Sequence, residues 1–167
     1  MGLKTYFRKA WLPIYLAPIA LVVILAYFDN IGRKMFLSAA NSGQVYQAME
    51  PLYMQLFHGL VYTGVLGMTA VVYYYRRDLR DALAYLVFSL ATVYSGIWDV
   101  LYYWFQGRAV PEVLSHLSGK PPGSVALAVN DGVVTAELLY ANAVVFLVLG
   151  LGVAASIRYG TVGDFLD

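Results

Sequence analysis

A chain of 167 residues in which 60% are hydrophobic and 13% charged is too apolar for an ordinary soluble domain and too short for several domains. Eleven Lys and Arg stand against ten Asp and Glu, which argues against a nucleic-acid surface and against a polybasic tail for anionic headgroups. The lack of cysteine removes disulfides, thiolate nucleophiles, iron–sulfur clusters and sulfur-based zinc sites.

The composition points to an all-α, polytopic integral membrane protein forming one domain. A helix that crosses a bilayer needs about 20 apolar residues, and four runs qualify, at about 11–28, 53–75, 82–105 and 133–157. The first follows Lys4, Arg8 and Lys9 and stops at "FDNIG". It is long and "AYFDNIG" offers no small-x-small cleavage site, so it reads as a retained helix and not a signal peptide. Residues 29–52 come next. Their "MFLSAANSGQVYQAME" has patchy apolar positions interrupted by Gly43, which predicts a short helix lying in the interface.

The second run opens after Pro51 and ends at "YRRDLRD", a tight loop with no evident chemistry. The third ends at "QGR". Residues 106–132 then offer "PEVLSHL", a second short loop helix opened by Pro111, followed by the turn "GKPPG", the apolar "SVALAV" and "NDG". The fourth run closes at Arg158. Lys4, Arg8, Lys9, Arg76, Arg77, Arg80 and Arg158 fall on one side of this layout, and Arg33, Lys34, Arg108 and Lys120 on the other. That bias places both termini in the cytoplasm of a multi-pass cell-membrane protein, with the two longer loops outside. Gly59, Gly64, Gly67, Gly150 and Gly152 offer small surfaces for close helix packing.

Ionisable residues inside spans are costly, so their depth is informative. At about 1.5 Å per residue, His58, Asp99 and Glu137 lie roughly 7, 9 and 6 Å from the outer ends of the second, third and fourth runs. Asp29 caps the outer end of the first, and no ionisable residue is expected in the inner half of any span. On the third run Thr92, Ser95, Asp99, Tyr102 or Tyr103 and Gln106 form a polar stripe; on the second, Gln55, His58 and Tyr62 do the same. Asn142 lies a turn inward of Glu137 and is rotated away from it.

The expected site is a polar cavity near the outer leaflet with His58, Asp99 and Glu137 as its acid/base residues. Tyr62, Ser95, Trp98, Tyr102, Tyr103 and Asn142 would bind an apolar, lipid- or isoprenoid-like substrate. In that reading Asp99 and Glu137 exchange the proton and His58 assists. The plainer reading is a polar clamp between helices with belt aromatics around it, although membrane hydrogen bonds contribute only about 0.6 kcal/mol on average. A metal site lacks the Glu-x-x-His spacing of di-iron bundles, and His116 sits apart in a loop, so no metal is expected. No cofactor is expected either, since haem would want a second histidine within a span. A proton- or ion-conducting homo-oligomer, or a non-catalytic subunit of a larger membrane complex, are the other classes. Four helices with acids in a membrane cavity are similar in layout to the sterol isomerase and sigma-2 receptor superfamily. That architectural likeness implies a lipid-like ligand and transfers no residue role.

Overall fold

Helix α1 runs from Leu12 to Ala39 and α2 from Gly43 to Arg76 in the computed structural model, which describes residues 12–39, 43–117 and 132–160. Both are longer than the apolar runs that nucleate them, and no separate interfacial helix lies between them. Residues 29–39 continue α1, and residues 43–52 are already α2, with Pro51 inside it. Two side-chain features support the extension. Asp29 and Arg33 pair at i,i+4 with 3.1 Å between Oδ1 and Nε, and the Phe36 ring packs on Tyr53 at 5.6 Å. Pro51 removes one backbone bond, a loss that a long helix with packed neighbours tolerates.

The third apolar run is two helices, α3 (Leu79–Tyr94) and α4 (Ile97–Phe105), bent by 58°. The break is chemical as well as geometric. Gly96 takes φ 82°, a left-handed conformation that a side chain would strain. Ser95 Oγ donates to Thr92 O (2.7 Å) and accepts from Ile97 N (3.1 Å). The Ser95 carbonyl, released from helical bonding, accepts from Asn142 Nδ2 at 2.7 Å.

After α4 the chain does not form the expected helix at "PEVLSHL". Leu114 N donates to Val134 O (2.8 Å) and Ala136 N to Glu112 O (3.2 Å), an antiparallel clasp that ends in a single 3₁₀ turn, Ser115–Leu117. The β-branched pair Val133–Val134 beside Val113 favours extended pairing over helix. Leu114, Leu117, Val134 and Leu139 form a buried cluster beneath the clasp. "GKPPG", "SVALAV" and the first two residues of "NDG" lie outside the described residues. Helix α5 (Ala136–Tyr159) starts at Thr135, whose Oγ1 accepts from Leu138 N at 3.3 Å.

α1, α2 and α5 contain segments long and apolar enough to cross a membrane, namely Tyr15–Ser38, Ala48–Arg76 and Ala136–Tyr159. α3 and α4 meet the same test as one bent unit. Leu56, Leu60, Leu66, Val144, Val148 and Leu149 stand exposed on α2 and α5, an apolar surface of the kind a membrane-spanning helix presents. α3 is the central element. Ala84, Tyr85 and Phe88 pack with Ala154 of α5, and Tyr15 and Ile19 of α1 close over them. Of the five glycines singled out for helix packing, Gly150 alone has a close neighbour: a Cβ there would collide with the Ala91 methyl. Gly59, Gly64, Gly67 and Gly152 face open space within the chain.

Candidate functional site

Asp29, 1% exposed, is the centre of the polar region. Its Oδ1 accepts from Tyr53 Oη at 2.8 Å and from Arg33 Nε at 3.1 Å, and its Oδ2 accepts from Trp98 Nε1 at 3.2 Å. One carboxylate thereby ties α1 to α2 and to α4. Three donors, one of them a guanidinium, meet the two oxygens of this buried carboxylate. Arg33 reaches further, with Nη2 on Met54 Sδ at 3.1 Å, Nη1 3.9 Å from Glu50 Oε1, and its guanidinium 5.1 Å from the Tyr102 ring centre. Next to Asp29, Asn30 donates to Tyr102 O at 3.2 Å.

This network is one wall of a cavity of about 640 Å³ between α1, α2 and the α3–α4 unit. Its apolar side is Met54, Phe57, Val61 and Val93 with Leu117 from the 3₁₀ turn, and its polar side includes Asp29, Arg33, Glu50, His58 and Asp99. Three carboxylates against one guanidinium leave the cavity acidic, with aromatic rings around it. Tyr62 Oη and Tyr94 Oη are 2.8 Å apart on its wall, and Phe57 meets Trp98 edge-to-face at 4.8 Å.

His58 has a defined tautomer. Its Nδ1 lies 2.8 Å from Met54 O, which only accepts, so Nδ1 donates and, in the neutral ring, Nε2 is the nitrogen with the lone pair. The bond to the carbonyl one turn back also fixes the ring plane. His58 is exposed in the protein alone, on the side of α2 that faces the cavity mouth.

The structure brings together part of the expected set. His58, Asp99, Tyr62, Trp98, Tyr102 and Tyr103 line one cavity. Glu137 does not. It lies exposed in the first turn of α5, across the bundle, and the second carboxylate in the cavity is Asp29. Ser95 and Asn142 are buried at the α3–α4 break, hydrogen-bonded to each other's helix and outside the cavity lining. The continuous stripe expected on the third run is interrupted there: Thr92 and Ser95 turn their hydroxyls onto their own backbone, and only Asp99 and its α4 neighbours face the cavity. His116 falls in the 3₁₀ turn and its side chain is outside the described residues. Among the described residues, no three His, Asp or Glu side chains gather as a metal ion would require.

Sequence reading placed Asp29 at a helix end and missed that three helices, α1, α2 and α4, meet at it. The signal available was local: Asp29 and Arg33 stand one turn apart, in a stretch too polar to be lipid-facing. Nothing in the sequence names Tyr53 or Trp98 as their partners. No family model, no curated protein and no solved structure matches the chain.

Proposed function

We propose that the chain is a four-span membrane protein with both termini cytoplasmic, α3 and α4 together forming the third span. Its cavity binds a lipid- or isoprenoid-like molecule and performs proton transfer on it. The observation that carries this reading is the placement of the His58 lone pair and the Asp99 carboxylate on one cavity with an apolar wall. The apolar tail lies along Phe57, Val61 and Val93. Asp99 donates a proton to the bound molecule, His58 Nε2 takes a different proton from the resulting cation, and the two groups are reset by exchange with water. The Asp29 carboxylate and the rings of Trp98 and Tyr102 stabilise the positive charge carried by the bound molecule between these steps.

The experiment needs no knowledge of the substrate. Protein purified in mild detergent and incubated in D₂O retains its bound lipid, and mass spectrometry of that lipid reports carbon-bound deuterium. The expected result is uptake by the wild type, none by His58→Gln or Asp99→Asn, and loss of the lipid itself in the cavity-filling Val93→Trp. An undeuterated lipid in the wild type, or lipid retention indifferent to Val93→Trp, overturns the reading.

A second reading, a subunit of a homo-oligomer or larger complex, is favoured by α2. Only 11% of its most apolar window is buried in the chain, and Gly59, Gly64 and Gly67 leave its surface open to another helix. Bulky Gly64→Leu and Gly67→Leu variants then change the mass measured by light scattering without changing the lipid retained.

A further inference from the structure

An open recess of about 690 Å³ lies at the other end of the bundle, where the α2–α3 turn meets the end of α5. Arg76 is about 20 Å along α2 from Tyr62, so this recess is separate from the cavity above. Four arginines line it, namely Arg76, Arg77 and Arg80 from the turn and Arg158 from α5, with Tyr73 and Tyr159 at its sides. The chain has no polybasic segment; the fold assembles one from two places.

The two carboxylates in the recess are already engaged. Asp81, 4% exposed, holds Arg76 Nη1 on Oδ2 and Arg158 Nε on Oδ1, each at 3.1 Å. Asp78 caps α3, accepting from Arg80 N at 2.8 Å. Four guanidiniums against two carboxylates leave a positive surplus at a site whose acids are committed to structure. Arg77 adds a second observation. It adopts φ 56°, a left-handed conformation uncommon for a residue with a side chain, and its guanidinium lies 4.9 Å from the Tyr74 ring centre. The turn thereby holds a strained residue and a stacked cation at the rim of the recess.

We infer that this recess binds a phosphate group, and that the group belongs to an anionic phospholipid. Planar guanidiniums pair with phosphate through two parallel hydrogen bonds. The depth matches a headgroup: Tyr73 and Tyr159 at the recess, and Tyr74 and Tyr75 next to Tyr73 in the chain, are all substantially exposed, as aromatic residues at a membrane–water interface are, and Leu79 continues the rim as apolar surface for acyl chains.

The full chain in nonionic detergent is titrated with phosphatidylglycerol, phosphatidylcholine and inorganic phosphate. Retention is read by native mass spectrometry and stability by thermal unfolding. Phosphatidylglycerol is expected to be retained and to raise the unfolding temperature, and phosphatidylcholine is not. Arg77→Gln with Arg80→Gln weakens phosphatidylglycerol binding at least about tenfold, the loss of one charge-assisted hydrogen bond. Lys34→Gln, at the other end of the bundle, leaves it unchanged. Arg77→Lys with Arg80→Lys keeps the charge, keeps the test informative if the glutamine pair does not fold, and still weakens binding because a lysine cannot pair with phosphate bidentately. Displacement of the lipid by millimolar inorganic phosphate, with the same thermal shift, assigns the site to free phosphate. Equal retention of the two lipids, or equal loss in Lys34→Gln and the arginine pair, overturns the inference.

Discussion

Replacing Asp29 by Asn removes a charge and no volume, which isolates the electrostatics of the hub. An amide has one acceptor oxygen. If it keeps the Oδ1 position, Tyr53 and Arg33 retain a partner, but the amide NH₂ then faces Trp98 Nε1, which also donates. One buried donor left unmet costs about 1–3 kcal/mol. The bonds that remain change from charge-assisted to neutral, which about halves them. Arg33 also loses its close counter-charge, a loss discounted because its side chain is 21% exposed and water screens it in part. The sum is about 3 kcal/mol, at the low end of what removing one partner of a buried pair costs.

The competing expectation is far smaller. If the hub is ordinary interhelical glue, membrane hydrogen bonds at about 0.6 kcal/mol each predict a change below about 2 kcal/mol for all three together. Reversible unfolding in mixed micelles, in a background where Trp11 and Trp104 are replaced by Phe so that Trp98 alone reports, measures both the stability and the indole environment. Tyr53→Phe completes a double-mutant cycle, and the two changes are expected to be non-additive by about 1 kcal/mol because they act on one oxygen atom. Additive effects, or an Asp29→Asn protein within about 0.5 kcal/mol of wild type, would falsify the hub as an energetic unit.

Three further outcomes follow from the packing. Asn142→Leu keeps the volume but leaves the buried Ser95 carbonyl without its 2.7 Å donor, so it destabilises by about 1–3 kcal/mol and speeds hydrogen exchange in residues 95–100 before exchange elsewhere. Gly150→Leu drives a side chain into Ala91 and Phe88 and lowers the unfolding temperature, while Gly152→Leu, two residues on and facing open space, leaves it unchanged. Asp81→Asn removes the charge shared by Arg76 and Arg158, both nearly buried, and costs about 3–5 kcal/mol. Added salt recovers little of that loss, because buried pairs are weakly screened.

The apolar runs located α1, α2 and α5 because about 20 hydrophobic residues have few other structures open to them. Helix ends were less legible, since Pro51 and Gly43 are punctuation only where nothing else holds the helix, and here the Asp29–Arg33 pair and the Phe36–Tyr53 contact do. The break at Ser95–Gly96 was written in the sequence as a single glycine. What makes it a break is Asn142, 47 residues away, accepting the cost of a released carbonyl by donating to it. For the site, depth counting put His58, Asp99 and Glu137 in one layer, and His58 and Asp99 do line one cavity, but depth does not give rotation about the helix axis. Glu137 shares the layer and points out of the bundle. The inner arginines were taken as a topology signal, and Asp81, which organises them, was assigned to a loop because its burial depends on Arg158 from the far end of the chain.

Glu137 therefore supplies the sharpest separation between depth and geometry as guides to a site. Both Asp99 and Glu137 are carboxylates in the first turn of a helix, where the N-terminal end of the dipole favours negative charge, so their local electrostatics are alike. They differ in what they face: Asp99 lines the cavity with His58, and Glu137 is exposed outside it. If shared depth were enough to form the site, Asp99→Asn and Glu137→Gln would impair deuterium uptake by the bound lipid equally. On the observed geometry, Asp99→Asn abolishes uptake while the lipid is still retained, because the amide keeps the cavity's shape and loses its exchangeable acid. Glu137→Gln leaves both retention and uptake at wild-type levels. Loss of uptake in Glu137→Gln at unchanged stability is the result that would return Glu137 to the chemistry and remove Asp29 and Asp99 as a sufficient pair of charges around His58.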